Sequence, residues 1–304
     1  VATDDPAVPD QSTGGVHIQA SVQGSGDPVL LLHGYPQTQR MWATVVPLLA
    51  EHFTVVTTDL RGYGDSAKPA PRPDGSTYSK RAMAGDQLRL MLSLGFDQFA
   101  VVGHDRGARV AHRLALDFSE AVSRVAVLDV VPTLHMFENV DRAMASSYFH
   151  WFFLTQPNVL PEALIGADPE AWLRSRFTGR NAGGRPLDEA AFAEYLRCFA
   201  TPEAIAATCA DYRAAASIDL EHDRADRAEG RMVTAPLLAL WGSASYVGRS
   251  FDVTEVWRGY GHDVRGAAVH ADHYLAEEQP EQTAEALLQF LGAPEPTRSS
   301  GRIS

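Results

Sequence analysis

The run Val102-Gly103-His104-Asp105-Arg106-Gly107-Ala108-Arg109 sets an aspartate at the centre of a Gly-x-nucleophile-x-Gly turn. The apolar stretch Phe99-Ala100-Val101-Val102 before it predicts a buried strand, and the residues after it predict an amphipathic helix, so the carboxylate of Asp105 would stand on a strand-to-helix elbow. A serine in that place would need a histidine to remove its proton before it could attack a carbonyl. A carboxylate, with an ordinary pKa near ~4, is already ionised at neutral pH and displaces a leaving group from a saturated carbon without a base. That displacement leaves an ester on the enzyme. Water must then hydrolyse it, and His273, late in the chain, is the candidate base for this second step.

A base of this kind needs an acid to hold its tautomer. The Trp241-Gly242-Ser243-Ala244-Ser245-Tyr246 stretch lacks the aspartate of a W-G-x-x-D pattern. Asp129, at the end of the strand after the elbow helix, is the first candidate, with Asp252 as fallback; the competing role for Asp129 is a cap on the loop before Pro132. Arg106 and Arg109 lie within one turn of the nucleophile and could grip a substrate carboxylate through their paired donors, or could be helix-surface arginines in ordinary salt bridges. The aromatic run Tyr148-Phe149-His150-Trp151-Phe152-Phe153 would by composition be a helix packing on the core, although imidazole, indole and phenol hydrogens can also solvate a small anion. His135, His222 and His262 show no metal-ligand spacing, and neither metal nor cofactor is expected.

Strand-like and helix-like segments alternate, which predicts a mostly parallel sheet covered on both faces. The expected strands are Val16–Val22, Pro28–Leu32, His52–Thr58, Phe99–Val102, Val125–Leu128, Leu237–Trp241 and Val264–Val269, with helices over Ser79–Leu94 and Gln282–Leu291. Between 131 and 231 the alternation stops in an aromatic, alanine-rich and helical stretch. It is expected to form a lid inserted into a core made of 16–130 and 232–293, with a loose arm at 1–15 and a tail at 294–304. The formal charge of −12 and the lack of any basic run argue against nucleic acid or an anionic membrane as partner, and imply that an anionic substrate needs a local cationic pocket. Cys198 and Cys209 are expected to be a buried free pair suited to a reducing compartment, and the polar start of the chain has no signal-like apolar core, so a cytoplasmic protein is expected.

Taken in order, His33-Gly34-Tyr35-Pro36 after a strand, Asp59-Leu60-Arg61-Gly62-Tyr63-Gly64-Asp65-Ser66 after the next, the elbow and the late His273 resemble the α/β-hydrolase fold. Further stretches narrow the resemblance: His33-Gly34-Tyr35-Pro36-Gln37-Thr38, His104-Asp105-Arg106-Gly107-Ala108-Arg109, Val127-Leu128-Asp129, His150-Trp151 and Asp211-Tyr212-Arg213-Ala214 resemble the fluoroacetate (haloacetate) dehalogenases from Val16 to Phe290. That resemblance implies Asp105 as nucleophile, Asp129 and His273 as acid and base, Arg106 and Arg109 as carboxylate grip, and His150, Trp151 and Tyr212 as halide donors. Backbone N–H groups of Tyr35 and Arg106 would form the oxyanion hole, and a small haloacid would be the substrate; relatives are often homodimers, although the sequence does not set the oligomeric state. Two positions depart from the relatives: Asp272 stands before the base where they tend to have glycine, and Tyr274 after it where they tend to have phenylalanine. Such a carboxylate could raise the histidine pKa or alter the turn. The rivals are an epoxide hydrolase, using Tyr148 and Tyr212 as acids, and a catalytically silent receptor for a small acid.

Overall fold

Apolar runs without alternation belong in strands covered on both faces, and the central strands here have that character. The computed structural model describes residues 15–292. Its sheet has the order β1-β3-β2-β4-β5-β6-β7, built from β1 (Ala20–Gly24), β2 (Pro28–Leu32), β3 (Thr54–Thr58), β4 (Phe99–His104), β5 (Val122–Leu128), β6 (Leu237–Gly242) and β7 (Val264–Val269). β4 is buried along its whole length, whereas β1 at one edge is partly and β7 at the other largely open to solvent. Every described pairing is parallel except β1 with β3. The first strand begins at Ala20, later than the sequence implied, because Asp59 N–H bonds Gln19 O and Ala67 N–H bonds His17 O, tying the preceding residues to the loop after β3. The expected arm falls outside the described residues except at Gly15, and the tail falls wholly outside them.

Parallel strands deliver their following loops to one rim of the sheet, and that rim is where sites form in open α/β sheets. Tyr35 follows β2, Asp105 follows β4, Asp129 follows β5, Ser245 follows β6 and His273 follows β7. Helices Lys80–Ser93, Arg106–Asp117 and Pro280–Leu291 cover the sheet. Between β5 and β6 the described chain is helical, from Thr133–Glu138 to Ile218–Ala228. Side-chain caps by Asp141, Asp168, Asp188 and Thr201 start several of these short helices, and Pro169 and Pro202 occupy first-turn positions where a missing N–H costs nothing. This helical insertion, the expected lid, is tied to the rest of the chain by polar contacts as well as packing: Trp172 Nε1 donates to the Tyr35 hydroxyl at 2.6 Å, and the Tyr274 hydroxyl to Arg176 O at 3.1 Å. Cys198 and Cys209 are both buried and free. Among the described residues no helix is long and apolar enough to cross a membrane.

Candidate active site

The elbow works because two glycines let three backbones meet. A Cβ at Gly103 would lie 2.4 Å from Gly107 O, and one at Gly107 would lie 2.4 Å from His33 O. With that close approach the chain turns at Asp105 with φ 47°, a conformation uncommon for a non-glycine residue. The carboxylate is buried, and Oδ1 accepts a hydrogen bond from Tyr35 N–H at 3.0 Å. Oδ2 lies 3.9 Å from His273 Nε2, which leaves the pair short of direct contact. Burial would raise the pKa of Asp105, but the neighbouring imidazoles of His273 and His104 and the guanidiniums of Arg106 and Arg109 outweigh it and hold the group down at about 2. Asp105 is therefore an anion throughout the neutral range. Arg106 opens the elbow helix, so its N–H is among those without an intrahelical acceptor.

His273 Nδ1 and Asp129 Oδ2 are 2.6 Å apart. The other oxygen of Asp129 accepts from Ser245 Oγ at 2.6 Å and Gly242 N–H at 3.1 Å. Ser245 occupies the place of the missing aspartate in the tryptophan-glycine turn, and its hydroxyl steadies the replacement acid. Asp252, the fallback candidate, instead caps Val253–Arg258 through Glu255 N–H, so the structure corrects that alternative. Asp272 turns its carboxylate onto the N–H of His273 at 2.8 Å, and burial pushes its own pKa up. Its observed effect is on the turn. His104, held neutral by burial and by His273 with a pKa of about 4, places Nε2 2.8 Å from His273 O and fixes the base from below.

The two arginines differ. Arg106 is fully buried, with Nε and Nη2 on the carboxylate of Asp211 at 2.8 and 2.7 Å, and Asp211 is shared with Lys80 Nζ and the Tyr63 hydroxyl. Arg109 donates Nη1 to Val131 O and Thr133 Oγ1, and its guanidinium lies 4.7 Å from the ring centre of Trp151. Burial and Arg106 lower Arg109 to about 10, which leaves it cationic at neutral pH. Neither is a surface arginine. Arg106 Nη1 and Arg109 Nε are buried without a hydrogen-bond partner, as are His150 Nδ1 and the Tyr212 hydroxyl. Buried polar groups are normally paired, so these four leave donors available to a polar guest.

A small cavity opens on Asp105 and His273. Tyr35 and Tyr274 complete its core wall, and the lid supplies Tyr148, His150, Tyr212, Arg176 and Arg180. Of the residues singled out in the sequence, Arg106, Arg109, Asp129 and Trp151 do not line it; the ring of Tyr212 covers Arg106 at 4.3 Å and touches Trp151. Burial, together with Arg176 and Arg180, keeps His150 well below the usual histidine range, so it is a neutral ring. Sequence reasoning missed Ser245, Lys80, Arg176 and Arg180. Asp59 and Arg61 of the second Gly-rich motif have structural work: Asp59 accepts from Gln39 N–H and Asp65 N–H, and Arg61 forks onto Asp86. A larger cleft, of about 120 Å³, lies beside His112, Asp226 and Tyr260, and neither Asp105 nor His273 lines it. Asp65, Glu194 and Cys198 form a cluster with metal-compatible spacing, but Arg197 bridges both its carboxylates and none of the three lines the cavity.

Comparison with known proteins agrees with this architecture. A family model described as the alpha/beta hydrolase fold matches residues 27–278. A fluoroacetate dehalogenase of Burkholderia sp. is 46% identical over 91% of each chain. A soluble epoxide hydrolase of Corynebacterium sp. strain C12 is 34% identical over 88% of this chain and 91% of its own. The crystal structure of an alpha/beta hydrolase from Nostoc sp. PCC 7120 superposes with a TM-score of 0.90 at 49% identity, covering 96% of this chain and 98% of that one.

Proposed function

The chain belongs to the α/β-hydrolase family and within it to the fluoroacetate dehalogenases, hydrolases acting on carbon–halide bonds, and from that premise we propose that it hydrolyses small 2-haloacids, haloacetates including fluoroacetate, through an ester on Asp105. The single observation that carries the mechanism is the Asp105–His273–Asp129 geometry, with one carboxylate oxygen held by a backbone amide and the other 3.9 Å from the base.

In the first step Oδ2 of Asp105 attacks the α-carbon in line with the departing halide, forming a C–O bond as the C–X bond breaks and inverting that carbon. The substrate carboxylate is assigned to Arg109 and the free Nη1 of Arg106, which stand behind the cavity lining and reach it only when the covering rings of Tyr212 and Trp151 shift, and His150 and Tyr212 donate to the halide. In the second step a water between His273 Nε2 and the ester loses its proton to the imidazole and adds to Cγ of Asp105. The charge that develops on Oδ1 is met by the N–H groups of Tyr35 and Arg106. Collapse releases the 2-hydroxyacid and restores the carboxylate. Halide and a proton are the other products, so the reaction balances with water as its sole co-substrate.

The test is a single turnover in H₂¹⁸O. The label should enter the Asp105 carboxylate and not the glycolate; label in the first glycolate formed would remove the ester from the mechanism. One observation favours a second reading, epoxide hydrolysis: two lid phenols, Tyr148 and Tyr212, line the cavity and could protonate an epoxide oxygen. Lid arginines on the same wall have no use with a neutral epoxide. Diol formation from styrene oxide, with no halide released from chloroacetate, would establish that alternative.

A further inference from the structure

Asp211 neutralises Arg106, but the two lid arginines of the cavity are not neutralised. Arg176 is only 6% exposed; its guanidinium lies 4.5 Å from the ring centre of Trp172 and 4.7 Å from that of Phe149, and its Nε and Nη2 reach only Ser175 Oγ, at 3.2 and 3.0 Å. Arg180 donates Nη2 to Ser147 O at 3.2 Å and lies 5.5 Å from the ring of Tyr148. Among the described residues, no carboxylate forms a salt bridge with either. The acidic groups whose charge reaches Arg180 are Asp272, occupied with the His273 amide, and the nucleophile itself. Taking a guanidinium from water without a carboxylate is unfavourable, and ring stacking offsets only part of that cost. In a chain with 38 acidic residues, two such cations on the wall facing the nucleophile are a strong preference for anions.

On the proposed mechanism a 2-haloacid directs its carboxylate toward Arg109 and its halide toward His150 and Tyr212. Arg176 and Arg180 line the same cavity and stand where a substituent left over from those contacts would meet a cation. We propose that Arg176 and Arg180 form a second carboxylate subsite there, so that the site favours four-carbon 2-halo dicarboxylates, a 2-halosuccinate being the model case, over halomonoacids of equal length. The chemistry rests on the dehalogenase reading, whereas the binding does not: the arginines would hold the dianion whether or not the carbon–halogen bond breaks.

Calorimetric titration of succinate and butyrate, two unreactive four-carbon acids, tests binding directly. It should be paired with halide release from chloroacetate, 2-chlorobutyrate and 2-chlorosuccinate. Succinate should bind at least about tenfold tighter than butyrate, and Arg176→Met and Arg180→Met should each erase roughly a tenfold preference, with Arg180→Lys retaining part of it. The kcat/KM ratio of chlorosuccinate to chlorobutyrate should fall in step. Because each ratio is taken within one protein, loss of folded material cancels. Butyrate binding as tightly as succinate, or variants that weaken both acids equally, would overturn the proposal, the second result being what packing or a halide-only role gives. Intact succinate preference without chloroacetate turnover would remove the dehalogenase reading and leave the dianion subsite standing.

Discussion

The two walls of the cavity are made on different terms. On the core wall every reacting group is fixed by strand ends and backbone: Asp105 by a glycine-framed elbow and the Tyr35 amide, His273 by Asp129 and His104, Asp129 by Ser245 and Gly242. On the lid wall the polar groups are held by ring packing and stay chemically open, as with the free Nδ1 of His150, the free hydroxyl of Tyr212 and the stacked guanidinium of Arg176. Fixed groups suit steps that need alignment, because preorganised donors cost no rearrangement when charge develops. Open groups suit a guest that varies. On the proposed mechanism bond making falls to the strand ends, and the inserted helices contribute to the choice of leaving group and further substituent.

The largest effects should follow from the core wall. Asp105→Asn should abolish halide release, since an amide neither carries the charge nor forms the ester. His273→Gln should let the first step proceed and block the second, seen as one equivalent of halide and a mass gain on the peptide that carries Asp105. A His273→Gln protein that turns over, or that never gains mass, would break the division of labour at its strongest point.

Next comes the network that joins the walls. Asp211 lies at 0% exposure between Arg106 and Lys80, whose charges overcome the effect of burial and hold its carboxylate below the usual range. Asp211→Asn leaves two buried cations under-compensated, and breaking such a pair costs about 3–5 kcal/mol. Urea unfolding should show a loss of that order together with a raised KM for haloacetate, because Arg106 would no longer be aimed. A loss of stability with KM unchanged would make Asp211 a packing element and detach Arg106 from substrate.

The carboxylate grip should show itself in two variants of one residue. Arg109→Ala should cost roughly 30- to 1000-fold in kcat/KM, on the order of 2–4 kcal/mol for a charge-assisted contact. Arg109→Lys should recover only part of that loss, because an ammonium lacks the fork. Unchanged kinetics on haloacetate in Arg109→Ala, or equal turnover of haloacetamide by the parent enzyme, would sink the assignment.

What could be read in advance follows the same division. Strands β2 and β4 and the elbow were legible because continuous apolar runs, glycines and turn residues encode their own geometry locally. Asp129 was legible only as the strand-end acid left over once the tryptophan-glycine turn proved to lack one; that Ser245 would support it was not, since a serine in a turn has many ordinary uses. The lid arginines left no signal at all. Of 26 basic residues only Lys68 and Lys80 are lysines, so arginine is the default cation of this chain, and nothing in the spacing of Arg176 and Arg180 separates them from exposed Arg174. Burial against Phe149, Trp172 and Tyr148 decides their character, and that is a tertiary fact. Trp151 shows the converse: its motif was legible, yet the indole packs on Arg109 and lies outside the cavity lining.

The smallest expected effect concerns the leaving atom, and it separates two residues that sequence grouped together. Breaking a carbon–fluorine bond needs donors on the departing atom, whereas chloride leaves with less help. The Tyr212 hydroxyl is buried, unpaired and on the cavity wall. Tyr212→Phe should lower fluoroacetate turnover by roughly tenfold, the scale of one lost transition-state hydrogen bond, and chloroacetate turnover by less. Trp151→Phe removes the indole that stacks under Arg109, so it should raise KM for both substrates with little change in their ratio. Measuring kcat and KM for both haloacetates on the two folded variants decides the matter. A fluoride-to-chloride ratio that falls for Trp151→Phe and holds for Tyr212→Phe would exchange their roles, placing halide recognition behind the cavity and reducing Tyr212 to a wall.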